Sequence, residues 1–307
     1  MKKMRFVLFT ALSLMGSYAL LAQKGSKAGI VDFHQTAVTK FIEANGNRYA
    51  YRVLGNHAGI PLIFLQHFTG TMDNWDPAVS NGLAQHFKVI LFDNRGVSAS
   101  GGKTPTTIAE MAKDAEDFIK AMGFQKVNIL GFSMGGFIAQ QIVLDQPQLV
   151  NKLILAGTGP KGGDGILNIV KPLTEASKMA PDEQKLYLFY SSSNTSKESG
   201  KSALTRIQQR KADRDPEATG ESITAQLTAI LDWAQPDPNA LTQLKTITQP
   251  VLIVNGNNDI VVPTINSYIL FQNISNAKLS LYPDSNHGAI FQYHELFVAE
   301  ATKFFEN

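Results

Sequence analysis

Residues 127–136 read Val-Asn-Ile-Leu-Gly-Phe-Ser-Met-Gly-Gly, and residues 137–144 continue with an apolar, helix-forming pattern. The pattern Gly-x-Ser-x-Gly is common by itself. Between a buried strand and a helix it is typical of a nucleophile elbow, in which a strained turn exposes the serine hydroxyl. The serine also stands at a helix N-terminus, where backbone N–H groups favour developing negative charge. Ser133 is therefore the predicted nucleophile; the alternative interpretation is a turn of small residues that allows close packing.

Apolar runs similar to the one before Ser133 recur on both sides of it, and helix-period segments separate them. Short strands without apolar–polar alternation are usually buried on both faces, as in a parallel sheet. A hairpin precedes them, because two alternating segments flank Asn45-Gly46. The predicted strands are residues 39–44, 48–54, 61–65, 89–92, 127–130, 153–156, 251–254 and 277–282. The sequence therefore predicts an α/β fold with a doubly wound, mostly parallel eight-stranded sheet.

The interval between the sixth and seventh predicted strands departs from this alternation of strands and helices. Residues 160–246 lack a clear buried strand, and their apolar positions, for example at 223–233, favour helices. We predict a helical cap at residues 160–246, inserted into a core that is formed by residues 23–159 and 247–307.

The N-terminus has the layout of a secretory signal peptide. Basic residues at positions 2, 3 and 5 precede a mostly apolar stretch at 6–22, and Ala22-Gln23 is a candidate cleavage point. We therefore predict that residues 1–22 are a signal peptide and that the protein is exported, to the periplasm or the extracellular space. The alternative is an uncleaved anchor, although a spanning helix needs roughly 20 apolar residues. After cleavage, no stable membrane span is expected.

Composition narrows the classes of function. The chain has 307 residues, a net charge of +2 and no cysteine. The bulk charge predicts no nucleic-acid or membrane partner. Because cysteine is absent, disulfides, thiolate catalysis and Cys-ligated metal sites are excluded. The oligomeric state stays open.

A serine hydroxyl needs a base to take its proton, and an acid that holds the base. His287 is the predicted base, because it follows the last strand, where doubly wound sheets build their sites. Asp259 follows the preceding strand and is the predicted acid; the alternative is an aspartate that caps a turn or helix. The nearest rival acid, Asp284, lies only three residues before the histidine. The chain order Ser133, Asp259, His287 is the one expected after such an elbow.

Two backbone donors should complete the site as an oxyanion hole. One is the N–H of Met134, directly after the nucleophile. The other should come from the loop after the third strand, residues 66–71, where we choose the N–H of Phe68.

With these motifs the chain resembles the α/β-hydrolase fold superfamily over about residues 35–307. The resemblance rests on the loop at 65–70, on Asp93-Asn94-Arg95-Gly96, on the elbow, and on Asp259 with His287. Gly-Phe-Ser-Met-Gly-Gly is similar to the elbow of cofactor-free haloperoxidases (perhydrolases) and of some carboxylesterases. The resemblance implies that Ser133, Asp259 and His287 form a triad and that no cofactor is needed; we expect no metal either.

One residue departs from the family pattern. His67 stands where the family commonly has glycine. Its side chain should lie near the site, where it either contacts substrate or fills space.

The leading hypothesis is a serine hydrolase that cleaves an ester or related small-molecule acyl substrate through an acyl-serine intermediate. The first alternative is a perhydrolase that uses the same triad with peroxide as acyl acceptor. The second is a non-catalytic ligand-binding protein on the same scaffold. The identity of the substrate is not determined by these motifs.

Overall fold

The predicted sheet is present in the computed structural model, which describes residues 31–307; the predicted signal peptide at residues 1–22 lies outside the described residues. Eight strands form one sheet in the order β1-β2-β4-β3-β5-β6-β7-β8. The strands are β1 Lys40–Ala44, β2 Asn47–Leu54, β3 Leu62–Leu65, β4 Val89–Phe92, β5 Val127–Phe132, β6 Val150–Ala156, β7 Val251–Gly256 and β8 Ala277–Tyr282. The pairs β1–β2 and β2–β4 are antiparallel, and the other pairs are parallel. The doubly wound, mostly parallel sheet is thus confirmed.

The antiparallel edge begins with the hairpin that Asn45-Gly46 predicts. Ala44 pairs with Asn47, so the turn between β1 and β2 has two residues. Both turn residues have positive φ, 47° at Asn45 and 73° at Gly46. Asparagine and glycine tolerate this left-handed backbone better than other residues, which is why the sequence specifies the turn.

The parallel strands β3 to β7 are largely buried on both faces because apolar layers cover each side of the sheet, whereas the edge strand β8, which the sequence led us to expect buried, is partly exposed. On β3, Ile63 and Leu65 belong to one apolar cluster. Leu62 and Phe64 belong to the cluster on the other side. Successive residues of a strand point to opposite faces, so both faces of the strand must be apolar.

Helices cover the two faces. Those of the core are α1 Phe33–Thr36, α2 Pro77–Ala84, α3 Ile108–Ala121, α4 Met134–Asp145, α10 Ile265–Asn273, α11 Ala289–Gln292 and α12 His294–Glu306. The helix α3 begins where the Thr107 side chain accepts a hydrogen bond from Glu110 N at 3.2 Å, an N-cap. Its buried stripe, which includes Met111 and Phe118, faces the sheet.

The interval between β6 and β7 is helical, as its apolar positions indicate. It holds α5 Val170–Ala176, α6 Pro181–Phe189, α7 Asn194–Ile207, α8 Gly220–Trp233 and α9 Ala240–Leu244, besides a short 3₁₀ helix at Ile166–Ile169. We call residues 160–246 the cap. The residues 31–307 form one compact unit, so the contacts do not divide cap from core, and the boundary between them stays a prediction.

A buried cluster of charges joins the cap to the sheet. Arg52 on β2 donates to Asp73 at 2.5 Å and to Asp215, in the loop between α7 and α8, at 2.7 Å. The two aspartates also bind each other's backbone, because Asp73 N donates to Asp215 at 2.9 Å and Asp215 N donates to Asp73 at 2.8 Å. Arg210 extends the cluster to the N-terminal segment, where it donates to the carbonyl oxygen of His34 at 2.7 Å. Breaking a buried pair by removing one partner is strongly destabilising, so the cluster holds this cap loop in place.

Candidate active site

Ser133 lies in the turn between β5 and α4 with φ 56° and ψ −120°. A non-glycine residue in such a conformation costs roughly 1–3 kcal/mol and persists only where its surroundings enforce it. Glycines around it permit the turn. A Cβ on Gly135 would overlap the carbonyl oxygen of Leu65, and a Cβ on Gly136 would lie 2.6 Å from the Thr158 side chain. The small residues of the elbow therefore let α4 start directly against β3.

Hydrogen bonds fix the backbone of the turn. Ser133 N donates to the carbonyl oxygen of Ala156 on β6 at 2.8 Å. The carbonyl oxygen of Ser133 accepts from Gly136 N at 2.8 Å and from Thr158 Oγ1 at 2.9 Å. With the backbone held on both sides, the Ser133 side chain is left to face the cavity described below.

His287 and Asp259 are brought together as predicted. His287 Nδ1 lies 2.8 Å from Asp259 Oδ2, and both side chains are buried. The other carboxylate oxygen, Oδ1, accepts from Val261 N at 2.8 Å and Val262 N at 2.9 Å. Three donors can thus orient one carboxylate, with His287 Nδ1–H as one of them, and Nε2 is the ring nitrogen that does not face Asp259.

The rival acid is directed elsewhere. Asp284 accepts hydrogen bonds from the hydroxyls of Ser191 and Ser193, both at 2.6 Å. These two hydrogen bonds lower the pKa of Asp284. The structure therefore brings Asp259, and not Asp284, to His287.

Ser133 and His287 line the same cavity, but among the described residues no hydrogen bond joins their side chains. Catalytic hydrogen bonds are often long without substrate and tighten when it binds.

The two predicted oxyanion donors are the N–H groups of Phe68 and Met134. Neither donates to another residue of the described chain. The loop that carries Phe68 is held from the cap, because Thr69 N donates to Gln226 Oε1 on α8 at 2.8 Å. Thr69 has φ 64°, so this hydrogen bond stabilises a strained residue directly after the predicted donor.

His67 forms part of the cavity wall. Its ring centroid lies 5.4 Å from that of Phe132 and 5.5 Å from that of Phe189. Burial, followed by the neighbouring His287 and Lys185, lowers the pKa of His67 to about 3. The imidazole is therefore neutral at physiological pH, and its Nδ1 is buried without a partner.

The cavity has a volume of about 810 Å³. Most of its wall is apolar and comes from the cap and from the loops after the strands. Among the apolar lining residues are Leu173, Leu188, Ile223, Leu227, Val261 and Phe291. A concave apolar site with few polar groups is the usual form of a small-molecule pocket.

The loop Asp93-Asn94-Arg95-Gly96 makes structural contacts. Asp93 accepts a hydrogen bond from Met72 N at 2.8 Å, and Arg95 donates to Asp114 on α3 at 2.7 Å. These contacts fit the structural role that the resemblance gives this segment. Residues 31–307 contain no group of three or more His, Asp or Glu side chains that could hold a metal ion. The same part of the chain has no helix that is long and apolar enough to cross a bilayer.

Comparison with known proteins decides the family. The model of the alpha/beta hydrolase fold family matches residues 60–292. The chain belongs to this family. A solved α/β-hydrolase fold protein from Chitinophaga pinensis is 44% identical, with a TM-score of 0.87 over 89% of this chain and 99% of that one.

Two curated relatives of this α/β hydrolase carry more specific names. The putative non-heme bromoperoxidase BpoC of Mycobacterium tuberculosis is 27% identical over 81% of this chain and 95% of its own. The putative carbamate hydrolase RutD of Agrobacterium fabrum is 26% identical over 76% of this chain and 88% of its own. The relatives therefore support a hydrolase, while they differ in the substrate that their names suggest.

The structure of this α/β hydrolase adds residues that the sequence did not single out. Phe189 packs against the rings of His67 and His287, and Gln226 holds the loop of Phe68. Lys185 lines the cavity. All three belong to the cap, where no motif distinguishes a cavity-lining side chain from any other on an amphipathic helix. A helix face that combines Lys, Leu and Phe is the only signal, and it is equally typical of ordinary packing.

Proposed function

We propose that this α/β hydrolase is a serine hydrolase that cleaves an ester or related acyl substrate through an acyl-serine intermediate. The observation that carries the proposal is the strained Ser133 on one cavity wall with the buried His287–Asp259 pair. That arrangement supplies a nucleophile, a base and the group that orients the base.

In this mechanism, His287 Nε2 takes the proton from Ser133 Oγ as the oxygen attacks the acyl carbon. The N–H groups of Phe68 and Met134 stabilise the oxyanion, and loss of one such donor typically costs about 2.7–4 kcal/mol. His287 then gives its proton to the departing alcohol, which leaves the acyl group on Ser133. Water, activated by the same histidine, releases the acid and restores the serine.

A fluorophosphonate probe and a short p-nitrophenyl ester test this proposal. We expect the probe to label Ser133, and the Ser133→Ala variant to lose labelling and ester turnover. Ser202→Ala is the matched control, because Ser202 is exposed on α7 and outside the cavity wall. Wild-type turnover by Ser133→Ala would overturn the proposal. Absence of labelling, with an acyl compound still bound, would favour the ligand-binding alternative.

A second candidate function uses peroxide in place of water as acyl acceptor. The similarity to a putative non-heme bromoperoxidase favours it. Attack of peroxide on the acyl-serine would release a peroxyacid, and the peroxyacid would oxidise bromide. Bromination of monochlorodimedone in acetate and peroxide, lost in Ser133→Ala, would support this candidate. Lack of bromination by an enzyme that cleaves the ester would exclude it.

We also propose that residues 1–22 direct export and that cleavage follows Ala22. The proposal rests on the basic start and the apolar stretch of the sequence. Mass spectrometry of the protein from the periplasm or medium should give an N-terminus at Gln23. An intact Met1 on the purified cellular protein would contradict it.

A further inference from the structure

The cavity wall holds one side chain with a permanent positive charge among its described residues, and that side chain is Lys185. It lies on α6 one helical turn before Phe189, so the two residues share a face of the helix. The Phe189 ring centroid lies 5.5 Å from that of His67 and 5.7 Å from that of His287. Lys185 therefore lies on the same helix face as the Phe189 ring that contacts His287, and both residues line the cavity.

Lys185 makes no ion pair with another described residue, and it differs from the other unpaired cap lysines, which are exposed and outside the cavity wall, in being half-buried on that wall. Lys178 pairs with Glu175 at 2.8 Å, and Lys201 pairs with Glu198 at 2.7 Å. Both of those pairs are exposed, where an ion pair contributes little. Lys185 is half-buried beside mostly apolar side chains, where an anionic partner is worth more because water screens the charges less.

The cavity wall does not supply an anionic partner for Lys185. Glu217 is the acidic residue on the described wall, and it is exposed at the loop before α8. Its carboxylate does not pair with Lys185. The positive charge inside the cavity is therefore left for a group that enters from outside.

His67 complements the ammonium group without repeating its charge. The pKa of His67 is lowered first by burial and then by its neighbours His287 and Lys185, so the ring stays neutral. A neutral imidazole on the cavity wall can donate one hydrogen bond. The lysine and the neutral histidine thus both lie on a cavity wall that is largely apolar.

We propose that Lys185 binds a carboxylate of the substrate, so that the acyl substrates of this enzyme consist of an apolar body that carries a carboxylate. The proposal rests on the function proposed above and names the substrate class of the same site. The apolar wall receives the body of the substrate, the ammonium group of Lys185 pairs with its carboxylate, and the ester carbonyl lies at Ser133. A charge-assisted hydrogen bond of this kind is stronger than a neutral one and adds orientation to affinity.

Matched pairs of chromogenic esters test the proposal. p-Nitrophenyl hemiadipate and hemisuberate carry a carboxylate on the acyl chain, and each is compared with its methyl ester. 4-Acetoxybenzoate carries the carboxylate on the leaving group, and it is compared with methyl 4-acetoxybenzoate. We expect at least one anionic ester to be preferred by about tenfold or more in kcat/KM, mainly through a lower KM.

Variants assign that preference to the lysine. Lys185→Gln should reduce the anionic-to-neutral ratio of kcat/KM by about tenfold or more, while Lys185→Arg should keep most of it. Lys171→Gln is the matched control, because Lys171 is an exposed lysine on α5 outside the cavity wall and its loss changes the net charge equally.

A ratio near one for every pair in the wild type would overturn the proposal, as would an unchanged ratio in Lys185→Gln. If neutral esters are cleaved and Ser133 is labelled in that case, only the carboxylate assignment fails. If neither labelling nor turnover occurs, the proposed hydrolase function itself fails.

Discussion

Replacement of Asp259 by asparagine tests the chemistry of the site with little change of shape. The carboxylate receives three donors, which are His287 Nδ1 on Oδ2 and the N–H groups of Val261 and Val262 on Oδ1. An asparagine side chain has one acceptor oxygen and one NH₂ group, so it cannot accept from both sides.

The side-chain amide of the Asp259→Asn variant has two possible orientations. With its oxygen toward the loop it keeps both backbone hydrogen bonds; with its oxygen toward His287 it keeps one and leaves two buried N–H groups unpaired. Each hydrogen bond is worth about 1 kcal/mol net, so the first orientation is favoured. The NH₂ group then donates to His287 Nδ1 and moves the histidine proton to Nε2. The nitrogen that must accept the serine proton is thereby blocked.

We expect Asp259→Asn to lower kcat by about 10⁴-fold, the size of effect that this tautomer change has in Ser-His-Asp proteases. At 1.36 kcal/mol for each factor of ten, that corresponds to about 5.4 kcal/mol of transition-state stabilisation. The assay is kcat for a short p-nitrophenyl ester together with the rate of fluorophosphonate labelling. Thermal unfolding of the same variant should stay within a few degrees of wild type, because both backbone hydrogen bonds survive.

Asp284→Asn is the control, since Asp284 accepts from Ser191 and Ser193 and not from His287. Its kcat should remain within about threefold of wild type, as for most surface changes. If Asp259→Asn keeps more than about a tenth of the activity, or if Asp284→Asn loses as much as it does, the tautomer argument is wrong.

Three further predictions follow from the same contacts. Gly135→Ala should lower kcat about 10²-fold, because its Cβ would overlap the Leu65 carbonyl oxygen and displace the elbow, and a shift of about 1 Å can cost that much; ester kinetics with a folding check would show it, and full activity would contradict it. Gln226→Leu removes the acceptor of Thr69 N and should lower kcat by roughly 10- to 100-fold with a smaller change in KM, whereas Gln226→Glu restores an acceptor and should recover much of the loss. His34→Leu should make the free energy of unfolding less sensitive to acid. Burial is the main cause that lowers the pKa of His34 to about 4, so between pH 6.5 and 4 the unfolded chain binds a proton that the folded state rejects. The free energy of unfolding of the wild type should therefore decrease as the pH is lowered through that window, by about 2 kcal/mol at pH 5 relative to neutral pH. Urea unfolding at pH 7.5 and pH 5 measures it, and an equal loss in both proteins would refute it.

Local patterns were sufficient for most of the fold. The strands β3 to β7 are short apolar runs whose burial on both faces is implied by the lack of alternation, and their observed ends differ from the predicted ones by at most a few residues. The edge strand β8 alternates apolar and polar residues and is partly exposed. Asn45-Gly46 fixed the hairpin because its backbone conformation is a property of those two residues. The element ends were less predictable: β5 continues through Gly131 to Phe132, because the β-bridge to Ala156 holds these residues in the sheet.

The candidate site also has one part that the sequence identifies and another that only the structure shows. Ser133 was identifiable because its strand, turn and helix are contiguous in the chain. The sequence favoured Asp259 over Asp284 as the partner of His287 but could not decide between them. Both precede His287 within 28 residues, and either carboxylate has the right chemistry. Only the folded loops show that Ser191 and Ser193 bind one of them and His287 binds the other.

Sequence by itself thus determined the α/β sheet, the elbow and the chain order of the candidate triad, because each strand and the elbow is a contiguous pattern and each candidate residue follows one of those strands directly. Tertiary structure decided what surrounds them. The buried pair of Arg52 with Asp215 spans 163 positions, and the hydrogen bond from Thr69 to Gln226 spans 157. The place of Lys185 on the cavity wall depends equally on how α6 packs. Such contacts form between side chains that no local pattern relates, so their geometry exists only in the folded chain.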